Sequence, residues 1–231
     1  MDVRARGVGG RPAGLTLAER KTVIPLVHAV TSDGVLARAD FLGRARHVME
    51  ALGPRGAVHL RSRIVPAARL YEVAVALGAV RERTGAWVVI NDRVDVACAA
   101  RASAVQLTTR SVSIPDARRM AGTMPLGASA HAVADAMSAA AQGADWVVVG
   151  HVYETPSHPD EPARGLDLVR ESSAATATPV IAIGGIKPQH VHALLDAGAH
   201  GVAAISGIWG ANDAERAAAD YLSRYERHHG R

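Results

Sequence analysis

Cysteine occurs once in the 231 residues, at Cys98. An internal disulfide is therefore excluded, and a reducing, cytoplasmic compartment fits that usage. Aromatic residues make up only 3% of the chain, so a core has to be built from small aliphatic side chains, which suits tight layers of strand and helix. Lysine is scarce as well: of 26 basic residues only Lys21 and Lys187 are lysines, and arginine carries the net charge of +4. Those arginines are scattered, with neither a run of like charge nor interleaved aromatics, so no nucleic-acid partner is expected. The planar, two-pronged guanidinium suits a small anion instead, a phosphate or a carboxylate. No apolar run reaches the roughly 18 residues of a membrane span, so no membrane-crossing helix is expected. Despite 11 histidines there is no His-x-Glu-x-His or close Cys/His set, so no metal site is expected. A Gly-x-Ser-x-Gly elbow for an acyl nucleophile is missing too.

What is present is an alternation. Residues 1–22, rich in Arg and Gly, read as a flexible N-terminal tail, and residues 23–231 as one domain. Short apolar runs and longer amphipathic stretches alternate eight times from Val23 onward. The expected strands are Ile24 to Val30, Ala57 to Arg61, Trp87 to Asn91, Ala104 to Leu107, Leu126 to Ser129, Trp146 to His151, Val180 to Ile183 and Gly201 to Ile205. Pro66, Pro115 and Pro188 stand where helices should begin, and Gly53, Gly143 and Gly198 where they should end. Eight such pairs predict a single (β/α)8 TIM barrel, although a doubly wound open sheet fits the alternation almost as well.

In such a barrel the active site forms where strands end and loops begin. The residues collected there are unusually polar: Arg61 and Arg63, Asn91, Gln106, Ser129 and His131, His151, the pair Gly184 and Gly185, and Ser206 with Gly207. The glycines after strands seven and eight fall where barrels commonly hold a phosphate, and a short helix nearby would add its positive end; tight turns are the plainer reading. Arg61 and Arg63 would repel one another unless an anion or an acidic neighbour such as Asp33, Asp92 or Glu154 satisfied them. His151 follows a strand of almost unbroken valine. Alternation puts it on the face of Val147 and Val149, and its ordinary pKa near 6.5 suits proton transfer. His28 and His59 read as hydrogen-bonded core residues.

Taken in order, Val-His-Ala-Val-Thr-Ser-Asp (27–33), His-Leu-Arg-Ser-Arg (59–63), Ile-Asn-Asp-Arg-Val-Asp-Val-Ala (90–97), Gly-Ala-Ser-Ala-His (127–131), Gly-His-Val-Tyr-Glu-Thr (150–155), Ile-Ala-Ile-Gly-Gly-Ile (181–186) and Ile-Ser-Gly-Ile (205–208) resemble the thiamine phosphate synthase/TenI superfamily. The resemblance implies one (β/α)8 barrel acting on a small phosphorylated thiazole. The chain departs from the synthase branch at several positions. That branch usually reads Val-His-Leu-Gly-Gln-Glu-Asp after strand four, with an acid that helps hold magnesium, where this chain reads Val105-Gln-Leu-Thr-Thr-Arg-Ser111. Arg61-Ser-Arg63 and Pro156-Ser-His158 stand where the synthases carry Arg-x-Lys and Thr-Lys. Gly150 to Thr155 is instead similar to the TenI-type thiazole tautomerase motif.

That likeness implies an isomerase: His151 as the acid and base that aromatises a carboxylated thiazole phosphate without a cofactor. Gly184, Gly185, Ser206 and Gly207 would then hold the phosphate, Arg61 and Arg63 the ring carboxylate, and Gln106, Ser129 and His131 the polar surround. Asn91, with Asp92 beside it, stays available to either branch. The alternatives are a magnesium-dependent thiamine phosphate synthase and a ligand-binding or regulatory homologue without catalysis. A homo-oligomer is compatible with the sequence, which leaves the oligomeric state open.

Overall fold

The computed structural model describes residues 23–155 and 161–229. The expected tail, residues 1–22, and the Pro156-Ser-His158 stretch lie outside them. Eight parallel strands close into a barrel in sequence order: β1 (Val27–Val30), β2 (Gly56–Leu60), β3 (Trp87–Asn91), β4 (Ala104–Leu107), β5 (Leu126–Ala130), β6 (Trp146–Gly150), β7 (Val180–Ile183) and β8 (Gly201–Ala204). Closure is explicit in the register, since Val27 pairs with Gly56 on one side and with Val202 on the other. The open sheet is thereby excluded. β1 begins three residues later than expected, because Pro25 offers no N–H to a ladder.

Outside the strands lie α1 (Asp33–Leu36), α2 (Phe41–Leu52), α3 (Ala67–Thr84), α4 (Val94–Ala99), α5 (Ile114–Ala121), α6 (Val133–Ala141), α7 (Gly165–Ala175), α8 (Val191–Asp196), α9 (Ser206–Trp209) and α10 (Ala214–His229). Helix α2 shows the pattern: Phe41, Ala45, Val48, Met49 and Leu52 recur at helical spacing and are the residues it buries. None of the helices among the described residues is long and apolar enough to cross a membrane.

Every strand is covered on both faces. Outward side chains such as Val58, Leu60, Val88, Ile90, Val147 and Val149 belong to the large cluster shared with the helices. Inward ones, including Val30, Ala57, Val89, Ala104, Val148, Ile181 and Ala203, form a second cluster inside the barrel. The core is thus mostly small aliphatic, with Phe41, Trp209 and Tyr221 among the helices and one large side chain inside the barrel. The floor of the barrel is filled by Trp146, fully buried and edge-on to Trp87 at 6.2 Å between ring centroids. Gly127 makes this fit, since a Cβ there would lie 2.1 Å from the indole.

Two arginines brace this frame from within, and several others pair at its surface. Arg44 donates to the carbonyls of Trp209, Ala211 and Asn212 at 3.2, 2.6 and 3.3 Å. Arg118 donates to the Met124 carbonyl at 2.8 Å and to Asp145 at 2.7 Å, and Asp145 in turn accepts from the Leu126 N–H. Arg38, Arg55, Arg83 and Arg93 pair with exposed carboxylates at the surface.

Candidate active site

A cavity of about 400 Å³ opens at the carboxyl end of the barrel, within the range typical of small-molecule sites. Of the expected residues, Arg61, Arg63, Asn91, Gln106, Ser129, His131, His151, Gly184, Gly185 and Ser206 line it; Gly207 does not. A Cβ on Gly207 would meet the Tyr221 hydroxyl at 2.1 Å, so this glycine makes room for the Tyr221 hydrogen bond to the Ile186 carbonyl. Thr108, Thr109 and Arg110 also line the cavity. They lie in a loop, where no periodicity marks an inward face, and the only signal was an arginine at a position where the synthase branch carries an acid.

The strand before His151 runs in the opposite phase to the one expected. Val147 and Val149 face the helices, while Trp146 and Val148 face inward. A run of valines carries no polar alternation from which to read the phase. His151 reaches the cavity because β6 ends at Gly150 and the chain turns there. It is 3% exposed, and its Nε2 lies 3.3 Å from the Glu161 carbonyl, to which it donates. His131 similarly points Nδ1 at the Gly150 carbonyl, 3.1 Å away.

Gly184 and Gly185 both have positive φ, 104° and 63°. A Cβ on Gly184 would stand 2.3 Å from the His151 Cβ, and one on Gly185 2.3 Å from the Glu154 carbonyl oxygen. The pair therefore lets the chain after β7 press against the chain after β6, where Val152 N–H donates to Ile183 O and Tyr153 N–H to Gly184 O at 2.9 and 3.0 Å. Helix α9, which starts at Ser206, is a single turn and contributes backbone N–H groups rather than a sizeable dipole.

On the other side the wall is polar. His28 Nε2 lies 2.9 Å from the Pro25 carbonyl, His28 Nδ1 2.8 Å from His59 Nε2, and His59 Nδ1 3.3 Å from Asn91 Oδ1. Burial lowers the pKa of His28 to about 4, against a weaker opposing pull from the Pro25 hydrogen bond, and burial followed by the His28 charge holds His59 well below its ordinary value. Both rings are therefore neutral. Pro25 can only accept, so His28 Nε2 carries the hydrogen, and His28 Nδ1 then accepts from His59 Nε2–H. The atom facing His59 Nδ1 is Asn91 Oδ1, so a neutral His59 completes the string only with the Asn91 amide turned over to present its nitrogen. Beyond Asn91, Gln106 donates to Ser129 Oγ at 3.2 Å and to the Leu107 carbonyl at 3.3 Å, while its own Oε1 is buried without a partner.

The arginine loop is held from below by β1. Thr31 and Arg61 exchange hydrogen bonds, Arg61 N–H to the hydroxyl at 2.8 Å and the hydroxyl to Arg61 O at 3.1 Å. Asp33 accepts from the Ser62 hydroxyl and from the Arg63 N–H at 2.8 Å, and the Ser62 bond is the main reason its carboxyl stays below the usual range. Asp92 is likewise occupied, accepting at 2.5 Å from both the Thr108 and Ser111 hydroxyls. Neither acid pairs with an arginine, and among the described residues no carboxylate lies within ion-pairing distance of Arg61, Arg63 or Arg110. Burial, and then the neighbouring Arg63 and Arg110, lower the proton affinity of Arg61.

Residues 27–208 match the family model described as thiamine monophosphate synthase. A thiamine-phosphate synthase from Methanoculleus marisnigri is 38% identical over 178 residues, 76% of this chain and 84% of that one. One from Pyrococcus horikoshii is 34% identical over 171 residues, 74% and 83% of the two chains. The solved thiamine phosphate pyrophosphorylase from Pyrococcus furiosus superposes with a TM-score of 0.78 at 30% identity, covering 87% of this chain and 96% of that one. These relatives carry transferase names, and they overturn the isomerase expectation for His151. The geometry explains how the motif misled: Gly150, His151 and Gly184 are close-packed where β6 and β7 end, so the local pattern has an architectural cause that does not depend on the reaction.

Proposed function

The chain belongs to the thiamine monophosphate synthase family, and from that membership we propose that it joins a pyrimidine carried on a diphosphate to a phosphorylated thiazole, releasing diphosphate. The observation that carries this reading is a single cavity with two anion-friendly ends: Arg61, Arg63 and Arg110 on one side, and the turn of Gly184 and Gly185 with Ser206 on the other. A substrate pair bearing a diphosphate on one partner and a phosphate on the other needs both ends at once. In the reaction the bond from the pyrimidine carbon to the diphosphate oxygen breaks as the bond to the thiazole forms. The electron pair leaves with the diphosphate.

The guanidiniums would balance the charge that builds on that leaving group, which is where preorganised donors contribute most. Buried Asn91 and Gln106, with half-buried Ser129, present polar atoms to the pyrimidine, and the aliphatic Val148, Ile183 and Ala203 exclude water from the reacting carbon. A reducing, cytoplasmic setting suits such an enzyme, since Cys98 is a free thiol.

The residues do not fit a magnesium ion. A hard cation takes oxygen ligands and is usually held by one or two carboxylates. Among the described residues no carboxylate lines the cavity, no cluster of three metal-binding side chains occurs, and Asp92 is turned onto Thr108 and Ser111. No step of the reaction is assigned to a metal. Incubation with the pyrimidine diphosphate and the thiazole phosphate should yield thiamine phosphate, and Arg61→Ala should slow it by about 100-fold or more. Failure of the folded protein to form thiamine phosphate under any cation condition would overturn the assignment.

A further inference from the structure

We propose that the arginine end of the cavity binds its anion without a divalent cation, with Arg61, Arg63 and Arg110 supplying the positive charge. The inference rests on the synthase reading only for the identity of that anion as a diphosphate. Three observations point to it. All three arginines line one cavity, and none has a carboxylate partner among the described residues, whereas Arg38, Arg55, Arg83, Arg93 and Arg118 are all paired. The two acids closest in sequence to this wall each spend one carboxylate oxygen on a loop and act on Arg61 only through space. Asp33 is the anchor of the Arg61–Arg63 loop, and Asp92 is the anchor of the Thr108–Ser111 loop. Those acids shape the two loops that carry the arginines.

The charged groups lining the cavity are then cationic or neutral: three guanidiniums and the imidazoles of His59, His131 and His151. A divalent cation placed among the three guanidiniums would meet repulsion, and no carboxylate among the described residues lines the cavity to hold it. A diphosphate would meet planar donors that match its oxygens two at a time. Like charges held together in the empty site are relieved when an anion enters, so anion binding and thermal stabilisation should go together.

The test uses inorganic pyrophosphate and the whole protein. Titration calorimetry and the shift in melting temperature are measured once with EDTA and once with excess magnesium. Binding in EDTA, at least as tight as with magnesium, is expected. Arg110→Glu, in an exposed loop, should weaken binding in EDTA roughly tenfold or more and make it magnesium-dependent, and Arg110→Gln should weaken it without that dependence. Pyrophosphate that binds only with magnesium, that does not bind at all, or that binds Arg110→Glu unchanged in EDTA overturns the proposal. The same samples are assayed for thiamine phosphate from the two substrates. Pyrophosphate binding in EDTA with no product under any condition would leave the metal-free anion site standing and remove the synthase reading. Product and binding that both require magnesium would do the reverse.

Discussion

The wall of the barrel divides into two arcs that serve the cavity by different means. From β1 to β5 the inward wall carries His59, Asn91, Gln106 and Ser129 around the cavity, with His28 one layer below them against Trp146 and Val30 the one apolar side chain among them. From β6 to β8 the inward side chains are Val148, Ile181, Ile183, Ala203 and Ile205, and the polarity comes from backbone at Gly184, Gly185 and Ser206. The first arc is specific because each polar atom constrains the next. The second is close-fitting because side chains have been removed, letting two loops touch. One arc should be sensitive to protons and the other to volume.

The largest effect should come from adding volume to the glycine arc. Gly184→Val places a branched side chain at φ 104° and drives its Cβ into His151, which should cost about 3 kcal/mol or more in urea denaturation. A loss below about 1 kcal/mol would mean the loops after β6 and β7 separate easily, and the contrast between the arcs would weaken.

Protons should act next, and only on the polar arc. His28 has a folded pKa near 4 against an ordinary 6.5. The unfolded chain therefore binds the extra proton between those values, and stability is complete above about pH 6.5 and falls as pH drops toward 4. The loss attributable to His28 is on the order of 3 kcal/mol. Melting temperatures of the wild type and His28→Gln across this window should diverge at neutral pH and converge toward pH 4. Parallel curves would show that the string does not titrate as a unit.

The smallest change in stability should accompany Gln106→Leu. It removes two hydrogen bonds but also a buried oxygen with no partner, so the net change should stay within about 1 kcal/mol. Affinity for the pyrimidine diphosphate should fall nonetheless, because Gln106 lines the cavity. Unchanged affinity would move pyrimidine recognition away from the polar arc.

The uneven legibility of the chain follows the same division. Strand positions could be read closely because buried parallel strands are short apolar runs, often bounded by glycine or proline as Trp87–Asn91 and Val180–Ile183 are. The polar arc could be read too, since Asn91 and Gln106 are conspicuous inside such runs. Phase was lost where valines are consecutive, so His151 was grouped with Val147 and Val149. Function was lost where a short motif, Gly150 to Thr155, stood for more than its local packing. Arg110 was overlooked because a loop residue announces its direction only through three-dimensional neighbours such as Arg61.

One bond reaches from the outer layer to the mouth. The Tyr221 hydroxyl, on α10, donates to the Ile186 carbonyl just after the paired glycines, through the gap left by Gly207. A ribosome that has not yet delivered Tyr221 has made all eight strands but has not fastened the turn that follows β7. The nascent barrel should therefore complete the rim of its cavity later than its shape, in the interval during which α10 emerges and docks.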